Sequence, residues 1–188
     1  MKIWNLCLAA SALCVVAGAA QAAEPFRITS PDFQDNGVMP QKMGGMSTTN
    51  KNCLGQNVSP PLAWTPGPDG TKSYAIIMVD GAGRLGQGVD HWIAYSIPAN
   101  VNKLDEGAVS KPAPFFKGGK NTNDTELYYG PCPGPGSGLH HYVFTLIATD
   151  LEPDALQAGL TRADLLKALN GHGKAVTDIV LRMGYPEK

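Results

Sequence analysis

The pattern of apolar and polar positions predicts three long β-strands. Ser73–Asp80 is a nearly continuous apolar run that closes on an acid, which is typical of a strand buried on both faces. Residues 91–98 (HWIAYSIP) form a second apolar stretch, and residues 140–147 (HHYVFTLI) form a third. All three are rich in β-branched and aromatic residues, so we expect them to pair in one sheet.

Side chains alternate between the two faces of a strand, which assigns faces to these segments. The second strand should place His91, Ile93 and Tyr95 on one face. The third should place one set of alternate residues on a common face, namely His140, Tyr142, Phe144 and Leu146.

Long loops rich in glycine and proline separate the predicted strands, and one helix follows them. Residues 160–170 are amphipathic, Thr161 and Asp164 resemble a capping box, and Gly171 ends the helix. Residues 178–185 fit a strand or a helix equally well. Strands first and helices late predict a mainly β or α+β domain and argue against a doubly wound sheet.

The N-terminus has the features of a secretory signal peptide. Lys2 precedes an apolar region over residues 6–20, and residues 20–22 (AQA) form a cleavage site, so we expect a signal over residues 1–22. A membrane anchor is the alternative, but the apolar run is short and no stop-transfer flank follows. Neither Cys7 nor Cys14 follows a lipoprotein-type triplet. The predicted location is the bacterial periplasm or the exterior.

Residues 23–188 then have the length of a single domain with a sizeable core. The formal net charge of the whole chain is −1, which argues against a nucleic-acid-binding protein with its usual basic face. No second long apolar run follows the signal, so we expect no transmembrane segment after cleavage.

Two cysteines stay in the chain after cleavage, Cys53 and Cys132. An even number in an exported chain predicts a disulfide, and two unpaired thiols are the alternative. No C-x-x-C spacing supports a zinc site.

Three polar side chains lie at ends of the predicted strands, each beside a glycine-rich loop. These are Asp80, His91 and His140. Each alone is more often a structural residue, but together they predict a shared pocket if the fold brings them close. Two imidazoles and a carboxylate suit a metal site, acid–base chemistry or, with loop amides, an anion site.

No catalytic constellation accompanies this pocket. The chain has no G-x-S-x-G elbow, Ser137 follows no strand, and a disulfide would consume Cys132 as a nucleophile. The glycine-rich residues 81–88 match neither a Walker loop nor a dinucleotide fingerprint. We therefore expect neither catalytic residues nor a cofactor or metal.

Four motifs in order resemble the phosphatidylethanolamine-binding protein family, in its bacterial branch of kinase-inhibitor-like proteins. They are CLGQNVSPPLAW at residues 53–64, the strand ending in Asp80, DHWIAYSIP at residues 90–98, and YGPCP with GLHHYVF within residues 129–144. The resemblance spans roughly residues 26–171, and four ordered motifs are far more specific than one.

The resemblance implies an antiparallel β-sandwich with a large central sheet, a smaller sheet and peripheral C-terminal helices. It also implies a small pocket for phosphate-like anions or phospholipid head groups. The matching pocket positions are Asp80, His91, Gly130, Pro131, Cys132, Pro133, His140 and Tyr142.

The chain departs from the family's usual residues at the rim of this pocket. Ala82 replaces a second acid, Val89 replaces an aromatic residue, and Gly134-Pro135 replaces Pro-Lys, while Arg84 adds a cation. The favoured hypothesis is a non-enzymatic exported anion-binding protein. An inhibitor of a protein target and a hydrolase or metal enzyme using the Asp/His pocket are the alternatives.

Overall fold

The computed structural model describes residues 24–186, so the predicted signal over residues 1–22 lies outside the described part. Six strands form the larger sheet: β2 (Gly37–Val38), β4 (Ser73–Asp80), β5 (Val89–Pro98), β7 (Lys117–Gly118), β8 (His140–Thr149) and β9 (Gly173–Met183). Their order across the sheet is β2-β9-β8-β4-β5-β7. All neighbours are antiparallel except β2 and β9, which pair in parallel.

A smaller antiparallel sheet packs on this one. It consists of β1 (Ile28–Thr29), β3 (Leu62–Trp64) and β6 (Lys103–Leu104). The main core lies between the sheets, where Leu62 and Trp64 meet alternate residues of the large sheet such as Ile76, Met78 and Phe144. The fold is thus mainly β, as the sequence predicts.

The opposite face of the large sheet forms a second, smaller core. Ala75, Ile77, Ile93 and Tyr95 pack there against α2 (Arg162–Ala168) and the residue after it, Leu169. Both faces of β4 are therefore covered, which explains its unbroken apolar sequence.

α2 begins where the sequence predicts a cap. The Thr161 hydroxyl accepts a hydrogen bond from the backbone N–H of Asp164 at 3.2 Å. The sequence of residues 178–185 fits a strand or a helix equally well. In the structure most of this segment belongs to the strand β9. Two short segments of residues 24–186 also form turns. One is a 3-10 turn at Gln41–Met43, and the other is α1 (Gly83–Gly86), in which Arg84 and Leu85 have left-handed backbone angles.

The central strand β4 ends between the beginnings of its two neighbours. Asp80 is opposite Val89 of β5 on one side and Tyr142 of β8 on the other. Because antiparallel strands run in opposite directions, the end of β4 meets the starts of β5 and β8 at one edge of the sheet.

A β-bulge in β5 changes the direction of one side chain. Met78 pairs with Trp92 and Val79 pairs with Asp90, so His91 is an extra residue between them. The prediction that His91 shares a face with Ile93 and Tyr95 is therefore wrong. Ile93 and Tyr95 pack in the core under α2, whereas His91 contacts Tyr142 on the other side of the sheet.

Among residues 24–186, no helix combines the length and the apolar character needed to cross a bilayer.

The second core gives a matched pair of variants in α2. Leu165 is fully buried against the sheet, whereas its neighbour Leu166 is 45% exposed. Leu165→Ala should lower the free energy of unfolding by about 2–5 kcal/mol, because it leaves a cavity. Leu166→Ala should change it by less than about 0.5 kcal/mol, since it is a surface substitution. Urea denaturation of both variants checks this, and equal losses would contradict the packing described.

Candidate functional site

The three strand-end polar residues meet at one edge of the large sheet. Asp80 is buried, and its Oδ2 accepts a hydrogen bond from Nδ1 of His140 at 2.7 Å. Its Oδ1 accepts from the backbone N–H of Ala82 at 3.0 Å. Both carboxylate oxygens of this buried acid therefore have a hydrogen-bond donor.

His91 is also buried but has a different partner. Its Nδ1 lies 2.8 Å from the carbonyl oxygen of Tyr129, and a carbonyl only accepts, so Nδ1 carries the proton. Loss of solvent on burial lowers the pKa of His91. The Tyr129 carbonyl, Asp80 and Asp90 oppose this effect but do not outweigh it. His91 is therefore neutral in the folded protein near pH 7.

Tyr142 lies between the two histidines and fixes their positions. Its ring meets His91 edge-on, with centroids 5.2 Å apart, and stacks on His140 at 6.3 Å. The side chain is 1% exposed, and burial raises the pKa of its hydroxyl, which is therefore protonated. The prediction that Tyr142 shares a face with His140 is confirmed.

These groups line a cavity of about 260 Å³. Six of the predicted site residues contribute to its wall: Asp80, His91, Cys132, Pro133, His140 and Tyr142. The wall also contains residues for which no role was predicted from sequence: Asn50, Gly83, Thr122, Asn123, Tyr129 and Ser137. Arg84, noted in the sequence as a rim cation, lines it as well.

Two predicted site residues, Gly130 and Pro131, do not line the cavity. They belong to the loop of residues 129–134, which forms one wall of the cavity and is called the loop wall below. Both residues hold this loop against the segment that follows the 3-10 turn Gln41–Met43. The carbonyl of Pro131 accepts from the N–H of Gly45 at 2.7 Å. A Cβ on Gly130 would lie 2.3 Å from the carbonyl oxygen of Met43, so only glycine allows this approach.

The side-chain amide of Asn57 joins the same loop at two points. Its Oδ1 accepts from the N–H of Gly130 at 2.7 Å, and its Nδ2 donates to the carbonyl of Tyr128 at 3.1 Å. One side chain thus satisfies two backbone polar groups of this loop.

The predicted disulfide between Cys53 and Cys132 is present, with Cα atoms 4.5 Å apart. It links the loop wall to a segment 79 residues earlier in the chain. The Tyr129 hydroxyl lies 4.0 Å from the Cys53 sulfur and 3.9 Å from the Cys132 sulfur, so the tyrosine packs against the bridge.

Within residues 24–186, no three or more His, Cys, Asp or Glu side chains are grouped to hold a metal ion. Ser137 lines the cavity, but its hydroxyl donates to the carbonyl of Gly134 at 2.8 Å. The hydrogen-bonded pair at the centre of the site is thus Asp80 and His140.

Comparison with known proteins identifies the family of this chain. A family model described as Phosphatidylethanolamine-binding protein matches residues 29–183. The chain belongs to the phosphatidylethanolamine-binding protein family. The UPF0098 protein of Aquifex aeolicus is 35% identical to it over 129 residues, covering 68% of this chain and 75% of the relative.

Two solved structures of family members resemble the fold closely. The crystal structure of Escherichia coli YbcL, described as a member of the mammalian PEBP family, superposes with a TM-score of 0.76 at 27% identity, covering 86% of this chain and 99% of YbcL. The sequences of the two proteins are 29% identical over 181 residues, 92% of this chain and 94% of YbcL. A PEBP homologue from Chlamydia trachomatis, CT736, gives a TM-score of 0.73 at 28% identity, covering 88% and 99% of the two chains.

Some of the positions at which the sequence differs from the resembled motifs line the cavity, namely Arg84, Val89 and Gly134. Arg84 and Leu85 both have positive φ, 52° and 58°, in the turn that follows Asp80. Val89 packs so close to Gly83 that a Cβ on Gly83 would lie 2.6 Å from the Val89 side chain. Val89 and this glycine-rich turn therefore shape one side of the cavity.

Replacing Gly130 tests whether close backbone packing holds the loop wall. Gly130→Ala should lower the free energy of unfolding by about 1–3 kcal/mol, because the new methyl group would collide with backbone atoms. Gly173→Ala is the control, since nothing lies within 4 Å of a Cβ there, and it should change the value by less than about 0.5 kcal/mol. Urea denaturation measures both, and equal effects would contradict the argument.

The buried, neutral His91 predicts how stability depends on pH. Its pKa is 6.5 in the unfolded chain and lower when folded, so below about pH 6.5 the unfolded chain binds the proton better. The free energy of unfolding should therefore fall as the pH drops below about 6.5, by at most about 1.4 kcal/mol per pH unit for this group.

His91→Asn removes this titration but keeps an N–H donor for the Tyr129 carbonyl. The difference in unfolding free energy between pH 7.5 and pH 5 should be smaller in the variant than in the wild type. Chemical denaturation at several pH values measures it. Identical pH profiles would show that His91 is not held neutral by the fold.

Proposed function

We propose that this chain is an exported, non-catalytic binding protein whose cavity takes a phosphate-like anion, either free or as the head group of a phospholipid. One observation carries the proposal. The cavity contains a buried carboxylate that accepts a hydrogen bond from Nδ1 of His140 at 2.7 Å, which leaves the other ring nitrogen of His140 for a ligand.

The charges around the cavity support an anion when His140 is protonated. Its charge then offsets that of Asp80, and its Nε2–H becomes a donor. Arg84 adds a positive charge at the rim and makes no ion pair among residues 24–186. The side chains of Thr122 and Asn123 add neutral donors on the wall.

The size of the cavity limits what enters it. A volume of about 260 Å³ is below that of most pockets for drug-sized molecules, so it suits a phosphate-sized group. If the ligand is a phospholipid, the head group enters and the acyl chains stay outside. The name of the phosphatidylethanolamine-binding protein family agrees with this inference.

Two candidate nucleophiles on the wall are already engaged, which supports a non-catalytic role. Cys132 is in the disulfide, and the Ser137 hydroxyl donates to a backbone carbonyl instead of to His140.

The disulfide also supports export to the periplasm or the exterior. Such bridges persist in oxidising compartments and are rare in the cytosol.

Titration with inorganic phosphate followed by NMR tests the anion site. Signals of His140 and His91 should shift at millimolar phosphate, because both rings line the cavity. His140→Gln should weaken binding by about tenfold or more, since it removes a charged donor.

His172 provides the matched control. It also hydrogen-bonds an aspartate through Nδ1, at 2.8 Å from Asp150, but it is exposed and does not line the cavity. His172→Gln should leave the phosphate affinity unchanged. If neither cavity histidine shifts, or if both variants lose binding equally, the anion site is refuted.

A further inference from the structure

Three segments of the chain form part of the cavity wall and also reach the protein surface. They are residues 46–54, 81–88 and 133–139, which are called the rim segments below. Each contributes to the lining of the cavity, through Asn50, Gly83, Arg84, Pro133, Gly134 and Ser137. Other residues of the same segments are exposed, so their side chains lie around the place where a ligand enters.

Large apolar side chains are exposed on all three rim segments. Among residues 24–186, seven such side chains are exposed, and four of the seven lie here: Met46, Leu54, Leu85 and Leu139. An isolated antiparallel bridge holds Met46 beside Leu54. Single exposed apolar residues are normal on a soluble protein, whereas a concentration of them around a cavity marks an interaction surface.

Leu85 is fully exposed and is held outward by its turn. Its backbone and that of Arg84 are left-handed, which costs free energy in residues other than glycine. The N–H of Gly88 donates to the carbonyl of Gly83 at 3.0 Å and closes the turn around them. Because Leu85 gains nothing from packing within the described chain, we expect a partner to cover it.

The charged residues of the rim segments are all positive. The three segments contain two basic residues, Lys51 and Arg84, and no acidic residue. Neither cation forms an ion pair among residues 24–186. The wall residue Asn123 precedes the acid Asp124, but Lys120 pairs with this acid at 3.3 Å. The rim is therefore positive, although the whole chain has a formal net charge of −1.

The volume of the cavity limits how a phospholipid can be bound. The proposed function places the phosphate group in about 260 Å³, which leaves no room for acyl chains. Moving these chains from a bilayer into water would expose all of their apolar surface. A head group therefore reaches the cavity at least cost while its chains stay in the bilayer, and the rim then contacts the bilayer surface.

We propose that the rim segments form a docking surface for a bilayer that contains anionic phospholipids. The exposed apolar side chains enter the boundary between head groups and acyl chains, while Lys51 and Arg84 contact anionic head groups. The phosphodiester group of one lipid then enters the cavity toward His140. This inference rests on the proposed binding function and commits it to a lipid as the source of the anion.

Co-sedimentation with lipid vesicles tests the docking surface. Residues 1–22 are left out so that their apolar stretch does not itself bind lipid, and the whole described fold, residues 24–186, remains. Vesicles of equal parts phosphatidylglycerol and phosphatidylcholine should bind at least about tenfold more tightly than pure phosphatidylcholine, because only the mixture is anionic. Added salt should weaken this binding, since it screens exposed charges. Equal affinity for both vesicles, or no binding to either, would overturn the inference.

A double variant separates docking from binding in the cavity. Lys51→Gln with Leu85→Asn removes one cation and one apolar side chain, neither of which lines the cavity. Asparagine tolerates the left-handed backbone at position 85, so the turn is retained. Affinity for the anionic vesicles should fall about tenfold or more. Binding of inorganic phosphate and of the soluble head group glycerophosphoglycerol should stay as in the wild type.

Lys174→Gln with Val176→Thr is the matched control. Both residues are exposed on β9, and Val176 pairs with Ile147, so they lie toward the end of the sheet opposite the cavity. This variant also replaces one cation and one apolar side chain with polar ones, and its vesicle binding should match the wild type. Equal losses in the two double variants would overturn the inference.

The soluble probes distinguish failure of this inference from failure of the proposed function. If phosphate or glycerophosphoglycerol binds and anionic vesicles do not, the docking surface is wrong and the anion site stands. If neither soluble probe binds, the proposed function is refuted, whether or not vesicles bind. Sedimentation of the protein alone checks a second copy as the partner. Dimers that the rim variant abolishes would assign the surface to self-association and overturn the inference.

Discussion

The register of the central strand β4 is the constraint on which the site depends. Because β5 and β8 both run antiparallel to β4, its last residue Asp80 lies between Val89, the first residue of β5, and Tyr142, the third residue of β8. This placement brings a carboxylate to within 2.7 Å of His140, although the two residues are 60 positions apart in the chain. A slip of one residue would turn Asp80 to the other face of the sheet and separate the pair. The burial of alternate side chains in both cores prevents such a slip, so the packing of the sheet also positions the charges of the cavity.

A second constraint acts on the loop that closes the cavity. The Gly130 backbone approaches Met43 and Gly45 too closely for any Cβ, Asn57 binds the loop at two backbone groups, and the disulfide links it to Cys53. Tyr129 belongs to this loop and holds Nδ1 of His91 through its carbonyl. The state of a ring at the start of β5 is therefore controlled by contacts made elsewhere in the chain. This explains why residues that do not touch the cavity contribute to its chemistry.

Much of this arrangement follows from local patterns. The strand Ser73–Asp80, the cap at Thr161 and the shared face of His140 and Tyr142 were each predictable, because apolar periodicity and capping are properties of neighbouring residues. The bulge at His91 was not, since an extra residue in a strand is visible only against its partner strand. The positions of Gly130 and Pro131 also depend on distant parts of the chain. They were expected to line the cavity, whereas they pack behind its wall. Tyr129 and Asn57 were missed as functional residues because their roles depend on backbone groups distant in sequence.

The sequence by itself predicted a mainly β domain, a disulfide between Cys53 and Cys132, and a resemblance to the phosphatidylethanolamine-binding protein family, and all three are confirmed. These properties depend on composition, periodicity and short motifs, which do not require knowledge of distant contacts. Only the tertiary structure decided which polar groups meet and in which form. His91 and His140 are the same residue type at similar strand ends, yet one donates to a carbonyl and the other to a carboxylate. Only the fold provides this difference, because the partner of each ring lies far from it in the sequence.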